Sequence, residues 1–558
     1  MARYRGISGI ALVSAAGVAV SGLLSLPGVT GHRRPAAAVP RAAVGTAVST
    51  AVGTAPIPPA GALSSAPAAP PLKWTRCTGL PTPPPGGDPL PAGLRCATLR
   101  VPLDRARPSG ATIGLALVKV PATDRRHRIG SLLFNFGGPG GAGVDTLVQL
   151  AGEYAALRTR YDLVGFDPRG VGRSAPVRCA DAPRLDELAA MDDTPDTAAE
   201  ETAYIAARTA FVQGCAARSG DLLPHVGTVD AARDMEAIRV ALGDAKLHYF
   251  GISYGTWLGA AYAHQFPGAV GRVVLDGAVD TGIGTADLTL QQAAAFQRAL
   301  GTFAAACARL GPKSCPLGAD GPAVTASIGR ILAGLDRKPL PTSSGRKLTQ
   351  SLGTTGVTAA LYSRDAWPYL AQGLVDAVKR RDGSLLLMLA DVQNGRAGNG
   401  AYSNLSAANT AITCADTAER HTPADVRRLL PAFRAASPVF GPSMAWSLLQ
   451  CTGWPVAGDG AAREVSAPSA APILVVGNTG DPATPYAWAP ALTRALGGRA
   501  VLLTLDGEGH GAYDTGDPCV RAAVDAYLLR GRTPAPGTTC GRARSHRLTR
   551  GDLAPFVP

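Results

Sequence analysis

Seven short apolar runs punctuate the chain: IGLALVKV at 113–120, SLLFNF at 131–136, YDLVGFD at 161–167, KLHYFGI at 246–252, RVVLDGAV at 272–279, PILVVGN at 472–478 and AVLLTLD at 500–506. They are rich in β-branched and aromatic residues and are followed by Gly-rich loops or helical patterns. Runs of this kind predict strands buried on both faces. Helical periodicity fills several of the gaps. In TVDAARDMEAIRVALG at 228–243, Val229, Ala232, Met235, Ile238 and Leu242 form one apolar stripe. Thr228 can cap that helix, Asp230 suits its first turn, and Gly243 ends it. Strands alternating with helices predict a mainly parallel sheet in an α/β domain.

From about 285 to 465 the strand rhythm stops. Helical patterns such as ADLTLQQAAAFQRALGTFAAACARL and DAWPYLAQGLVDAVKRR replace it. The expected organisation is a sheet-bearing core in two pieces, 73–285 and 466–558. A mostly helical cap, 286–465, is inserted over the C-terminal edge of the sheet. A length of 558 residues agrees, being too great for one compact core.

The first residues read differently. Arg3 and Arg5 precede GISGIALVSAAGVAVSGLLSLP, a run of small apolar residues laid out like a secretory signal. A membrane anchor is the alternative, which the Gly and Ser content weakens. Residues 1–32 are therefore expected to be a signal peptide, with no stable membrane insertion after its removal. Residues 33–72, dominated by Ala and Pro, are expected to be a linker or pro-segment. Ten cysteines follow, an even count behind a signal, which implies disulfides in an oxidising, extracellular compartment. Spacing does not encode connectivity. Pairing neighbours in order keeps each loop within one region and gives Cys77–Cys96, Cys179–Cys215, Cys307–Cys315, Cys414–Cys451 and Cys519–Cys540. No Cys-x-x-Cys or His-rich spacing suggests a metal.

Composition narrows the partners. Apolar residues make up 46% and charged residues 17%, values of a globular chain. The net charge of +13 is scattered, apart from Arg530, Arg532, Arg542, Arg544, Arg547 and Arg550 near the end. No zinc-finger, RNA-recognition or P-loop pattern accompanies it, so the basic residues read as a solvated surface and no nucleic acid is expected.

The chemistry begins at HYFGISYGTW. Gly251-Ile252-Ser253-Tyr254-Gly255 lies between a strand and a helical pattern, the context of a nucleophile elbow. A serine there needs a base. His510, in DGEGHGAYD, follows the strand AVLLTLD and so stands at the C-terminal edge of the sheet, where open α/β sheets bind ligands. The base needs a carboxylate to hold its tautomer. Asp481, after PILVVGN, is preferred, with Asp276 and Asp280 as competitors. Ser253, Asp481 and His510 come in the chain order of an α/β-hydrolase triad. The oxyanion needs donors: the backbone N–H of Tyr254 and an amide from FNFGGPGGAG at 134–143, Gly138 or Gly137.

Together FNFGGPGGAG, YDLVGFDPRGVGRS, GISYGTWLG, GNTGDPATPYAWA, LDGEGHG and CVRAAVDAYLLRGRTPAPGTTC resemble the secreted tripeptidyl-aminopeptidase-like branch of the prolyl-aminopeptidase family of α/β-hydrolases. Asn135-Phe136 precede the glycines where prolyl aminopeptidases usually carry His, which suits the tripeptidyl branch. The resemblance implies the α/β-hydrolase fold with its cap, no cofactor or metal, and peptide substrates cut a fixed distance from a free N-terminus. It also implies carboxylates for the substrate amine; Asp416 in AITCADT and Glu508 beside His510 are the candidates. Asp167 and Arg169 in FDPRG read as scaffold. An esterase or lipase would use the same triad, and a non-catalytic binding module on the same fold is the third possibility.

Overall fold

The computed structural model describes residues 72–80 and 89–541. The expected signal peptide, the linker apart from Leu72, and Arg542, Arg544, Arg547 and Arg550 lie outside the described residues.

Nine strands form one sheet: β1 (Arg95–Pro102), β2 (Thr112–Val120), β3 (Gly130–Asn135), β4 (Tyr161–Phe166), β5 (Leu247–Ile252), β6 (Val270–Asp276), β7 (Ile473–Gly480), β8 (Val501–Glu508) and β9 (Thr539–Cys540). Their spatial order is β1-β2-β4-β3-β5-β6-β7-β8-β9. β2 is antiparallel to both β1 and β4, and every other pairing is parallel. The parallel strands are buried on both faces, which is why they read as continuous apolar runs. In β3 all six residues are buried. Each apolar run in the sequence is a strand of this sheet. β1, RCATLRVP, was missed because its alternating pattern places Arg95, Thr98 and Arg100 toward the surface.

Strand order reverses between β3 and β5. The loops after β3, β5, β7 and β8 therefore open at the carboxyl edge of the sheet, where a crevice forms. The fold is that of an α/β-hydrolase. Its buried braces include Arg169, which donates to both oxygens of Asp234 at 2.7 and 2.8 Å and to carbonyls of Leu103 and His225. Asp167 accepts from the Val144 and Arg173 amides. Both are scaffold.

Between β6 and β7 the chain is predominantly helical. Helices α3 (Thr285–Arg309) and α4 (Gln350–Leu361) share an apolar cluster that includes Phe296, Phe303, Leu361, Trp367 and Phe440. Two features depart from a simple core-plus-cap division. Helix α1 (Ala198–Ser219), after β4, sends Tyr204 into the cap cluster and Phe211, Val212 and Cys215 into the sheet cluster. Conversely α5 (Leu405–Asp416), within the insertion, packs Ala407, Ala408, Ala411 and Ile412 onto the sheet cluster.

Disulfides join Cys77–Cys96, Cys179–Cys215, Cys307–Cys315, Cys414–Cys451 and Cys519–Cys540, each cysteine to its neighbour in the chain. No helix among the described residues is long and apolar enough to cross a membrane.

Candidate active site

Ser253 sits between β5 and helix α2 (Tyr254–Gln265) with φ 59° and ψ −125°, a conformation L-residues rarely adopt. The neighbouring glycines explain how the turn closes. A Cβ on Gly251 would stand 2.3 Å from the Gly255 carbonyl oxygen, and one on Gly255 would stand 2.5 Å from that of Asn135. The apex is fastened on both sides. The Ser253 amide donates to the Asp276 carbonyl at 2.9 Å, and Thr256 Oγ1 donates to the Ser253 carbonyl at 2.6 Å.

His510 and Asp481 meet directly. Nδ1 of His510 lies 2.9 Å from each carboxylate oxygen of Asp481. The carboxylate is fixed by further donors: the amides of Ala483 and Thr484 at 2.8 Å, Gly511 at 2.9 Å, and Thr484 Oγ1 at 2.9 Å. In a neutral ring this contact favours the proton on Nδ1 and leaves Nε2 as the acceptor. Nε2 is buried and has no hydrogen-bond partner among the described residues. Burial acts to lower the His510 pKa, but the Asp481 charge and hydrogen bond, helped by Asp276 and Asp514, raise it overall above the ordinary histidine value.

Asp276 is not the partner of His510. It accepts from the amides of Ala512, at 2.9 and 3.1 Å, and Tyr513, at 2.9 Å, in the loop just past the histidine. Burial pushes its carboxyl up to about 6. Through its own carbonyl and carboxylate, Asp276 ties the serine turn to the histidine loop. Gly277 follows, and a Cβ there would lie 3.3 Å from His510 Cε1. Asp280 accepts from the Gly282 amide in its own turn.

A pocket of about 150 Å³ opens over Ser253. Gly138, Pro139 and Tyr254 line it on the core side, and Gln292, Phe296, Thr358 and Tyr362 line it from the cap. Gly137 is different. Its amide already donates to Asn135 Oδ1 at 3.0 Å, and its Cα packs so closely on Ser253 that a Cβ would stand 2.8 Å from the serine Cβ. Its role is contact, which leaves Gly138 as the loop's candidate donor.

The two substrate-binding candidates separate. Asp416 ends α5 in the pocket wall, 4% exposed, and accepts from the Thr228 amide at 2.7 Å and Thr228 Oγ1 at 2.6 Å. Thr228 Oγ1 also bonds the Tyr254 hydroxyl, so a short chain of polar groups joins Asp416 to the residue after Ser253. Burial pushes the Asp416 carboxyl up to about 7. Glu508 closes β8 and is not among the residues lining the pocket.

Other pocket residues were not anticipated. Glu419 lies three residues beyond Asp416 and bonds Arg463 Nη2 at 2.9 Å and the Thr285 amide at 2.9 Å. His421 also lines the wall, with Nε2 3.6 Å from Glu419. Two further histidines of the core have structural partners: His248 accepts from the Arg272 amide, and His264 meets the Ser466 carbonyl.

Residues 437–540 match the family model described as TAP-like protein. The chain is 38% identical to serine protease Hip1 of Mycobacterium tuberculosis over 494 residues, covering 84% of this chain and 91% of that protein. This chain belongs to the TAP-like family of α/β-hydrolases. Other members include a protein named carboxylesterase B from Mycobacterium tuberculosis, 37% identical, covering 80% of this chain and 86% of that protein. Tripeptidyl aminopeptidase of Streptomyces lividans is 33% identical, covering 81% of this chain and 84% of that protein. Membership makes the chain an enzyme, a serine hydrolase.

Proposed function

We propose that this chain is an exported serine exopeptidase that cuts peptides near a free N-terminus and releases tripeptides. Ser253 is the nucleophile, His510 the base and acid, and Asp481 the residue that holds the histidine. The observation that carries the reading is the His510–Asp481 pair, beside a strained serine turn, under a roofed pocket with carboxylates in its wall.

The chemistry runs in two halves. His510 Nε2 takes the Ser253 proton as Oγ attacks the substrate carbonyl carbon. The Tyr254 and Gly138 amides stabilise the oxyanion. His510 then gives its proton to the leaving nitrogen, the C–N bond breaks, and the acyl group stays on Ser253. Water, deprotonated by His510, attacks the ester and releases the peptide acid while the proton returns to Ser253.

A substrate ammonium finds two carboxylates in the wall, Asp416 and Glu419. A roof of α3 and α4 favours a chain end over a loop. Relatives named serine protease and tripeptidyl aminopeptidase support peptide substrates. Five disulfides support an oxidising compartment, and with the Arg-led apolar start they support export. A core of 73–285 and 466–558 with a cap of 286–465 is part of the same reading.

The relative named carboxylesterase B favours a second reading, an esterase with the same triad. A ladder of peptides of increasing length, digested by the secreted protein and read by mass spectrometry, decides between them. Successive losses of three residues from the free N-terminus are expected. Intact peptides alongside rapid hydrolysis of aryl esters would favour the esterase.

A further inference from the structure

On the α3 and α4 side of the pocket wall, two buried polar atoms have no hydrogen-bond partner among the described residues and no part in the steps above. One is Oε1 of Gln292, on α3; the other is Oγ1 of Thr358, on α4. Thr358 is 4% exposed. Leaving a buried polar atom unpaired is costly, so such atoms concentrate where a ligand completes them.

Their surroundings give a direction. Gln292 Nε2 donates to the Ala483 carbonyl at 2.7 Å, two residues beyond Asp481. Thr358 stands one helical turn before Tyr362, whose carbonyl receives the His510 amide at 2.8 Å. One turn on from Gln292 lies Phe296, and the Phe296 and Tyr362 rings meet at 5.7 Å. Both orphaned atoms therefore belong to the wall around the imidazole. Asp416 occupies the wall reached through Tyr254 and Thr228, and Glu419 the wall at the start of α3, on the Thr285 amide. His510 protonates the leaving nitrogen, so the departing segment passes the wall that holds Gln292 and Thr358.

Their chemistry gives the class of group. With Nε2 committed to Ala483, the Gln292 side chain presents an acceptor only, which calls for an N–H. The Thr358 hydroxyl can donate to a carbonyl. An acceptor and a donor together match one peptide unit. We infer that Gln292 and Thr358 form a subsite for the first peptide bond beyond the scissile one. The enzyme then selects substrates whose leaving segment has at least two residues. This rests on the exopeptidase reading and extends it to the leaving side.

The test uses three substrates with one acyl tripeptide: a one-residue leaving segment, a two-residue segment, and that two-residue segment with the further peptide N–H replaced by an ester oxygen. Cleavage at the tripeptide bond is followed by mass spectrometry. The wild-type kcat/KM is expected to be about tenfold higher for the two-residue peptide than for its ester analogue, the effect of one hydrogen bond. Gln292→Met is expected to bring that ratio near one. Because the ratio is taken within one protein, a reduced folded fraction does not move it. Equal wild-type rates on the peptide and its ester analogue, or an unchanged ratio in Gln292→Met, would overturn the subsite. If the wild type cleaves no peptide yet hydrolyses aryl esters, the exopeptidase reading fails and the subsite with it, and that pattern is distinct from a lost ratio.

Discussion

The backbone amide of His510 donates to the carbonyl of Tyr362 at 2.8 Å, and the two rings meet edge to face at 5.3 Å and 89°. A cap residue thus holds the proposed base. The contact is close on the backbone as well, since a Cβ on Gly509 would stand 3.1 Å from the same carbonyl oxygen. In the proposed mechanism the cap is therefore part of the catalytic geometry and more than a cover. Tyr362→Ala keeps the carbonyl but removes the ring. It should lower kcat about tenfold by loosening the imidazole and cost about 3 kcal/mol in stability. Steady-state kinetics and thermal unfolding check both, and unchanged kcat would confine Tyr362 to packing.

Asp481 and Asp276 flank the histidine loop, and their contacts predict different losses. Asp481→Asn removes the charge that holds the Nδ1 proton, and kcat should fall on the order of 10⁴-fold, as in triads generally. Asp276→Asn retains one acceptor for the Ala512 and Tyr513 amides, so its loss should be only about tenfold. The reverse ranking in kcat would move the triad acid to β6.

The pH profile follows from the histidine. His510 must be neutral to take the serine proton, so activity is present above its pKa and lost as pH falls through it. That pKa is raised: burial acts downward, but the charge and hydrogen bond of Asp481, helped by Asp276 and Asp514, outweigh it. The acid limb of kcat should then lie above the ordinary histidine value of about 6.5. Reading kcat separates this limb from ammonium binding at Asp416, which enters KM. In Asp481→Asn the limb should move down, because the raising charge is gone while burial remains. A wild-type limb below about 6 would contradict the arrangement.

Cys414 and Cys451 join α5 to a pocket-lining turn across 37 residues. Cys414 is two residues before Asp416. Replacing both by Ala should cost about 3 kcal/mol, seen as a lower unfolding temperature. It should also raise KM for free-amine peptides more than it lowers kcat, because the Asp416 wall loosens while the triad does not. An unaltered KM would separate that wall from substrate binding.

Much of this was legible in the chain. The parallel strands announced themselves because burial on both faces demands unbroken apolar runs. Ser253, Asp481 and His510 could be picked out because each follows such a strand, and a strand end has a known address. What was hidden depended on tertiary contact. Gln292 sits in a long helix, Thr358 in one buried at every position and Tyr362 at the C-cap of the latter, and no local pattern says that these residues come together near the His510 loop. Glu419 and His421 lie in a loop whose position depends on α5 packing against the sheet. Gly137 looked equivalent to Gly138 until Asn135 was seen to occupy its amide. Asp276 looked like a rival to Asp481 because both end neighbouring strands, and only their hydrogen bonds separate them.

The most direct test compares a tripeptide anilide with its N-acetylated form, using the purified wild-type protein and Ser253→Ala as the control. The account predicts that acetylation lowers kcat/KM by about a hundredfold or more, since a buried carboxylate loses its ion partner, and that Ser253→Ala cleaves neither. Equal rates on the free and acetylated substrates would contradict it.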